Sequence, residues 1–158
     1  MTEPELRRLL PDETATRELA AQVAAQLDGG LVIWLEGDLG AGKTVFARSL
    51  LQTLGVGERV KSPTYSLVEP YTLADGRPAW HLDLYRIADP AELEWLGLDS
   101  LGDRDGVILV EWPERGLGAL PAADLHVQLA HAEGGRSARL EARSGRGRAV
   151  LASVQQGA

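Results

Sequence analysis

Gly37-Asp38-Leu39-Gly40-Ala41-Gly42-Lys43-Thr44 satisfies the pattern GxxxxGK(S/T) at every required position. Those residue types at that spacing point to polyphosphate chemistry. Glycines at 37, 40 and 42 let the backbone fold around an anion with several amide N–H groups turned inward. A helix starting at the end of the loop adds its unpaired amides and the positive end of its dipole. Lys43 is then in reach of β- and γ-phosphates, and the Thr44 hydroxyl can ligate a magnesium ion. The chain has two lysines against fourteen arginines, so a lysine at this position is not background. The expectation is a bound nucleoside triphosphate.

A triphosphate site also needs an acid near the metal, usually at the end of a buried strand. Two present themselves. Glu111 closes the apolar run Val107-Ile108-Leu109-Val110, and Asp83 lies in His81-Leu82-Asp83-Leu84-Tyr85-Arg86. Strand alternation there places His81, Asp83 and Tyr85 on one face. Thr44's need for a partner at the ion favours Glu111, leaving Asp83 to orient the attacking water or hold the metal's water shell. For both acids the bland alternative is a solvated strand end. Ser62-Pro63-Thr64 reads as a switch-like loop whose hydroxyls sense a γ-phosphate, or as a plain proline turn. His81 reads as a packed residue sooner than as a general base.

The elements that must position these groups follow from the pattern. Leu31-Val32-Ile33-Trp34-Leu35 is an apolar run of strand length directly before the loop. Val45, Phe46, Leu50, Leu51 and Leu54 recur at helical spacing after it, and Gly55 stops the helix. Upstream, Leu19, Val23 and Leu27 with Ala20 and Ala24 form one helical stripe, entered at Asp12 or Thr14 as cap and closed by Gly29-Gly30. Downstream, 65–71 and 79–85 read as a hairpin around Asp75-Gly76. Asp89-Pro90-Ala91-Glu92 opens a short helix. The continuous run 107–110 suits a strand covered on both faces. Residues 125–129 and 139–142 pair around Gly134-Gly135, and 148–154 forms a closing helix. The predicted fold is α/β: a three-layer P-loop NTPase-like arrangement, mainly parallel at the centre with antiparallel hairpins, in a single domain over 1–158.

Bulk properties narrow the function classes. The 158 residues are 44% hydrophobic and 25% charged, ordinary for a globular protein. No apolar run nears the roughly 20 residues that cross a bilayer, and cysteine is absent, so the expected location is cytoplasmic, away from membranes. A net charge of −7 argues against a large direct contact with nucleic acid. Guanine-specific GTPases read their base with Asn-Lys-x-Asp, and this chain has no asparagine. A small-molecule kinase would need a second-substrate pocket and an arginine-bearing lid. A nucleotide-sensing module that binds ATP without hydrolysing it remains a rival from another class.

The ordered motifs GDLGAGKT at 37–44, KSPTYSLVEPY at 61–71, HLDLYR at 81–86 and LVEWPERG at 109–116 resemble the TsaE family. Leu10-Pro11-Asp12-Glu13 and the Gly135-Arg136 turn extend the similarity over nearly the whole chain. TsaE proteins are bacterial ATPases that assist formation of threonylcarbamoyladenosine in tRNA. The resemblance implies ATP and Mg²⁺ as cofactors, with phosphates held by Asp38, Leu39, Gly40, Ala41, Gly42, Lys43 and Thr44. It implies Thr44 and Glu111 at the magnesium, and Lys43, Asp83 and Glu111 as the catalytic set. Ser62, Pro63 and Thr64 correspond to the switch, and Pro11, Glu114 and Gly135 to the adenine side of the pocket. It further implies a transferase partner, TsaD, a bridging partner, TsaB, and tRNA held mainly by those partners. Hydrolysis, low in isolation, would reset the complex between turnovers.

Overall fold

A computed structural model of the chain describes residues 5–27, 29–56, 68–96 and 106–156. Seven strands form one sheet, with β1 at Glu5–Leu10, β2 at Leu31–Glu36, β3 at Val68–Thr72 and β4 at Pro78–Asp83. β5 spans Val107–Glu111, β6 Leu125–Ala132 and β7 Gly135–Ala142. The helices are α1 (Glu13–Ala24), α2 (Lys43–Thr53) and α3 (Gly145–Gln156). Strand order is β1-β7-β6-β2-β5-β4-β3. The four inner strands β6, β2, β5 and β4 run parallel, and the flanking pairs β1/β7, β6/β7 and β3/β4 are antiparallel. The expected parallel centre with antiparallel hairpins is therefore present.

Local chemistry explains most element ends. Asp12, not Thr14, caps α1, accepting from the Ala15 amide at 2.8 Å. The β3/β4 turn closes with Leu73 N–H to Arg77 O at 2.8 Å, while Asp75 accepts from the Arg77 backbone and guanidinium. The segment after Asp89 is a 3-10 turn, Pro90–Leu96, with the Ala91 amide on the Asp89 carboxylate at 2.9 Å. α3 begins at Gly145, three residues before the predicted start, because Ser144 Oγ accepts from the Gly147 amide and donates to Asp124. β1 has no counterpart in the sequence expectations. The stretch ELRRLL lacks an alternating pattern, and its strand state comes from pairing with β7 along its whole length.

The two faces of the sheet are covered differently. Leu31, Ile33, Leu35, Leu109, Val127 and Leu129 pack against all three α-helices in one apolar cluster. On the other face Leu82, Leu84, Ile108 and Val110 pack against Ile87, Leu93 and Ala119 from 3-10 and loop segments. The layers are thus asymmetric, with the regular helices of the described residues on one side. β5 is buried at every position, which accounts for its unbroken apolar run.

Candidate functional site

The glycine loop joins β2 to α2 where backbone freedom is needed twice. Gly37 has φ of 150°, and a Cβ there would sit 2.2 Å from the Leu129 carbonyl oxygen. Gly42, at φ of 108°, occupies the N-cap of α2 and offers no side-chain acceptor to the helix. The first-turn amides of α2 therefore keep no side-chain cap, and the turn contains no acidic residue. An uncapped N-terminus aimed along a concave loop is an anion-binding arrangement.

Parallel pairing brings the acids to this mouth. In the β4/β5 register Asp83 stands opposite Glu111, and in β2/β5 Leu35 stands opposite Glu111. Both acids thus close strands at the same edge as the loop, where α/β sheets collect their ligands. The Thr44 hydroxyl donates to Glu111 Oε1 at 3.0 Å, and His81 Nε2 lies 2.6 Å from Glu111 Oε2. Glu111 is 2% exposed. Asp83 is half-buried and accepts from the Tyr85 amide at 3.1 Å. Burial, and after it the nearby Glu111 charge, raises the Asp83 carboxyl above its ordinary range, against the lowering effect of the Tyr85 amide.

Lys43 is held inward. Its Nζ donates to the Gly37 carbonyl and sits 3.3 Å from the centre of the Trp112 ring. Burial lowers its pKa, opposed by the charges of Glu111, Glu114, Asp83 and Asp38. Trp112 is the one non-glycine residue with positive φ among the described residues, at φ 59°. That left-handed backbone, which costs about 1–2 kcal/mol for an L-residue, turns its ring over the lysine. Tyr85 stacks on Trp112 with ring centres 5.0 Å apart, and the Arg115 guanidinium lies over both rings.

Two cavities of about 260 Å³ flank the loop. The first is lined by Leu39, Lys43, Thr44, Asp83, Glu111 and Trp112. The second, on the α1 side, is lined by Pro11, Thr16, Gly40, Ala41, Gly135 and Arg136, among others. Of the residues expected on the adenine side, Pro11 and Gly135 share this second cavity, while Glu114 lines neither. It is exposed on the 3-10 turn Pro113–Gly116, where its charge acts on Lys43 instead. Asp38 serves through its backbone, its carbonyl accepting from the Ala41 amide at 3.1 Å. Ser62, Pro63 and Thr64 lie outside the described residues.

Three contributors went unread in the sequence. Arg136 donates to the Gly40 carbonyl through Nε at 3.2 Å and Nη2 at 3.1 Å, tying the β6/β7 turn to the loop. Trp112 carries no residue-type signal for a site, and His81 reads in the sequence as a packed residue sooner than as a general base. For Arg136 the only signal was its place after Gly134-Gly135. Two hard oxygens, Thr44 Oγ1 and Glu111 Oε1, stand side by side in the first cavity with Asp83 on its wall. No group of three or more His, Cys, Asp or Glu among the described residues is arranged as a metal cage. The donor set suits an ion that takes one or two protein oxygens and fills its shell from phosphate and water, as Mg²⁺ does.

This fold and loop place the chain in the class of P-loop-like α/β proteins. Comparison with known proteins is more specific. The family model described as "Threonylcarbamoyl adenosine biosynthesis protein TsaE" matches residues 10–139. A Haemophilus influenzae protein named "tRNA threonylcarbamoyladenosine biosynthesis protein TsaE" is 39% identical over 153 residues, 94% of this chain and 96% of that relative. The Bacillus subtilis protein of the same name is 44% identical over 107 residues, 67% of this chain and 64% of that relative. The crystal structure of Bacillus subtilis YdiB aligns with a TM-score of 0.77 at 28% identity, covering 99% of this chain and 96% of that one. The chain belongs to the TsaE family. Among the described residues no helix is long and apolar enough to cross a membrane.

Proposed function

We propose that this protein binds ATP with Mg²⁺ and hydrolyses it as an accessory subunit of tRNA threonylcarbamoyladenosine formation. The tRNA process is carried by family membership and by the names of its relatives. The nucleotide chemistry is carried by one observation: Thr44 of the loop and Glu111 of a different strand meet at 3.0 Å, with Asp83 in register beside them. A bound magnesium ion would neutralise charge between the β- and γ-phosphates there.

The chain's own groups have separable tasks. The loop amides and the α2 N-terminus hold the phosphates. Lys43 leaves the Trp112 ring to reach the γ-phosphate, bringing its charge to the oxygens that carry it in the transition state. Asp83 orients a water for in-line attack on the γ-phosphorus. The bond to the β–γ bridging oxygen breaks, and ADP and phosphate leave. Burial raises the Asp83 carboxyl above its ordinary range, which makes it a stronger acceptor for the proton that the attacking water gives up. The second cavity, walled by Pro11, Gly135 and Arg136, takes the base and ribose.

The partners in this proposal are a transferase, TsaD, and a bridging subunit, TsaB, with tRNA held mainly by them. Hydrolysis would reset that assembly between turnovers. An acidic chain fits this division, and its late arginines are engaged internally. Arg139 pairs with Glu5 and Glu141, Arg143 with Glu141, and Arg146 with the Gly30 carbonyl. The test is ADP formation by the protein alone, then with both partners and tRNA. Stimulation by the partners supports the accessory role. Stimulation by a metabolite instead would make it a small-molecule kinase, and ATP binding without turnover in any mixture would make it a nucleotide sensor.

A further inference from the structure

His81 sits 1% exposed on β4, on the face that carries Asp83. Its Nε2 is 2.6 Å from Glu111 Oε2, and its Nδ1 has no hydrogen-bond partner among the described residues. A proton on Nε2 makes the ring a donor to the carboxylate and leaves Nδ1 a bare acceptor. The opposite tautomer would set a bare acceptor against a carboxylate oxygen and bury an unpaired N–H.

Glu111 is itself shut off from bulk water, so each oxygen depends on a protein partner. Oε1 has the Thr44 hydroxyl and Oε2 has the His81 ring. The terminal torsion of a glutamate is soft, with no sharp staggered wells to fix the plane of the carboxylate. Thr44 alone cannot fix it either, because its hydroxyl has to turn to the metal when one binds. We propose that His81 is the positioning residue for Glu111, its Nε2–H gripping Oε2 so that Oε1 stays presented to the divalent ion beside Thr44. This rests on the Mg²⁺–ATP reading above and adds to it a residue that touches neither nucleotide nor ion. Groups that orient a metal-ligating side chain act on ion affinity through geometry.

The experiment measures binding of a fluorescent ATP analogue at one pH, with excess Mg²⁺ and again with EDTA. The readout is the ratio of the two affinities. His81→Phe removes the donor while keeping a planar ring. It should reduce the Mg²⁺-dependent gain about tenfold and leave EDTA affinity within about twofold, the scale seen when partners of metal ligands are lost. His81→Gln, whose Nε2 amide has nearly the same reach, should restore most of the gain. An unchanged ratio in His81→Phe overturns the proposal, and so does an equal loss with and without Mg²⁺, which marks a packing role. If His81→Phe fails to fold by thermal melting, His81→Gln against His81→Asn decides. The shorter amide should lose the gain, and equal ratios overturn the proposal. A wild-type protein that binds no analogue under either condition would instead fell the nucleotide reading, and this one with it.

Discussion

The two cavities beside the glycine loop have the same size, but their charged groups are held differently. On one side Lys43, Asp83 and the buried Glu111 crowd around a hydroxyl, and burial together with the surrounding charges shifts Lys43 and Asp83 from their ordinary ranges. On the other, the wall combines loop glycines, Pro11, Thr16 and apolar side chains with one arginine bound to a carbonyl, and its two acids are already engaged, Asp12 as the α1 cap and Glu13 with Arg17. The contrast separates two tasks. Ionisable groups held close in a dry mouth can stabilise developing charge. A wall of fixed backbone can recognise shape with little cost when a ligand arrives. Substitutions of the two first-side acids should therefore change turnover, while those at the phosphate-holding Lys43 and on the second side should change binding.

The largest expected effect is on turnover. Asp83→Asn or Glu111→Gln should lower kcat by about 10²–10⁴ in the assembled complex, while ATP still binds. Single-turnover hydrolysis checks this, and unchanged kcat in both variants would remove the first cavity from the chemistry. Lys43→Ala comes next. Losing charge-assisted contacts to phosphate should weaken ATP binding about 100-fold, roughly 3 kcal/mol, read by equilibrium titration. Arg136→Ala tests the other cavity. It frees the Gly40 carbonyl and should raise KM about tenfold with kcat nearly kept, the value of one good hydrogen-bonded tie. A fall in kcat with unaltered KM would erase the division between the two sides.

The smallest effect concerns stability. Burial raises Asp83 above its ordinary 3.8, so the folded chain holds that proton to higher pH than the unfolded chain does. Stability from the protonated form is complete below about pH 3.8 and is lost as pH rises through the folded value. Asp83→Asn should accordingly melt about 2 °C higher at pH 7 without nucleotide, and the gain should vanish near pH 4. A variant that melts lower at pH 7 would mean the carboxylate is stabilised in the mouth.

Much of this was legible because it is local. Strand, glycine loop and helix were readable from 31 to 54, since apolar spacing and positive-φ requirements are properties of neighbouring residues. The hairpin at Asp75-Gly76 was readable for the same reason. β1 was not, because a strand paired at its edge takes its state from a partner more than 120 positions away. Arg136 and Trp112 were invisible as site residues. One acts through a carbonyl 96 positions distant, and the other through a backbone angle that no residue type announces.

Residue order alone named the loop, its lysine and threonine, and two strand-end acids, because each is marked by type and by immediate context. It favoured Glu111 over Asp83 as the acid that meets Thr44, but only on the need for a partner at the ion. The contact itself belongs to the parallel register of β5 between β2 and β4, which sets Glu111 against both the hydroxyl and His81 and leaves Asp83 one strand over. Register is decided by packing over the whole sheet, where a slip of one residue would turn every side chain to the opposite face.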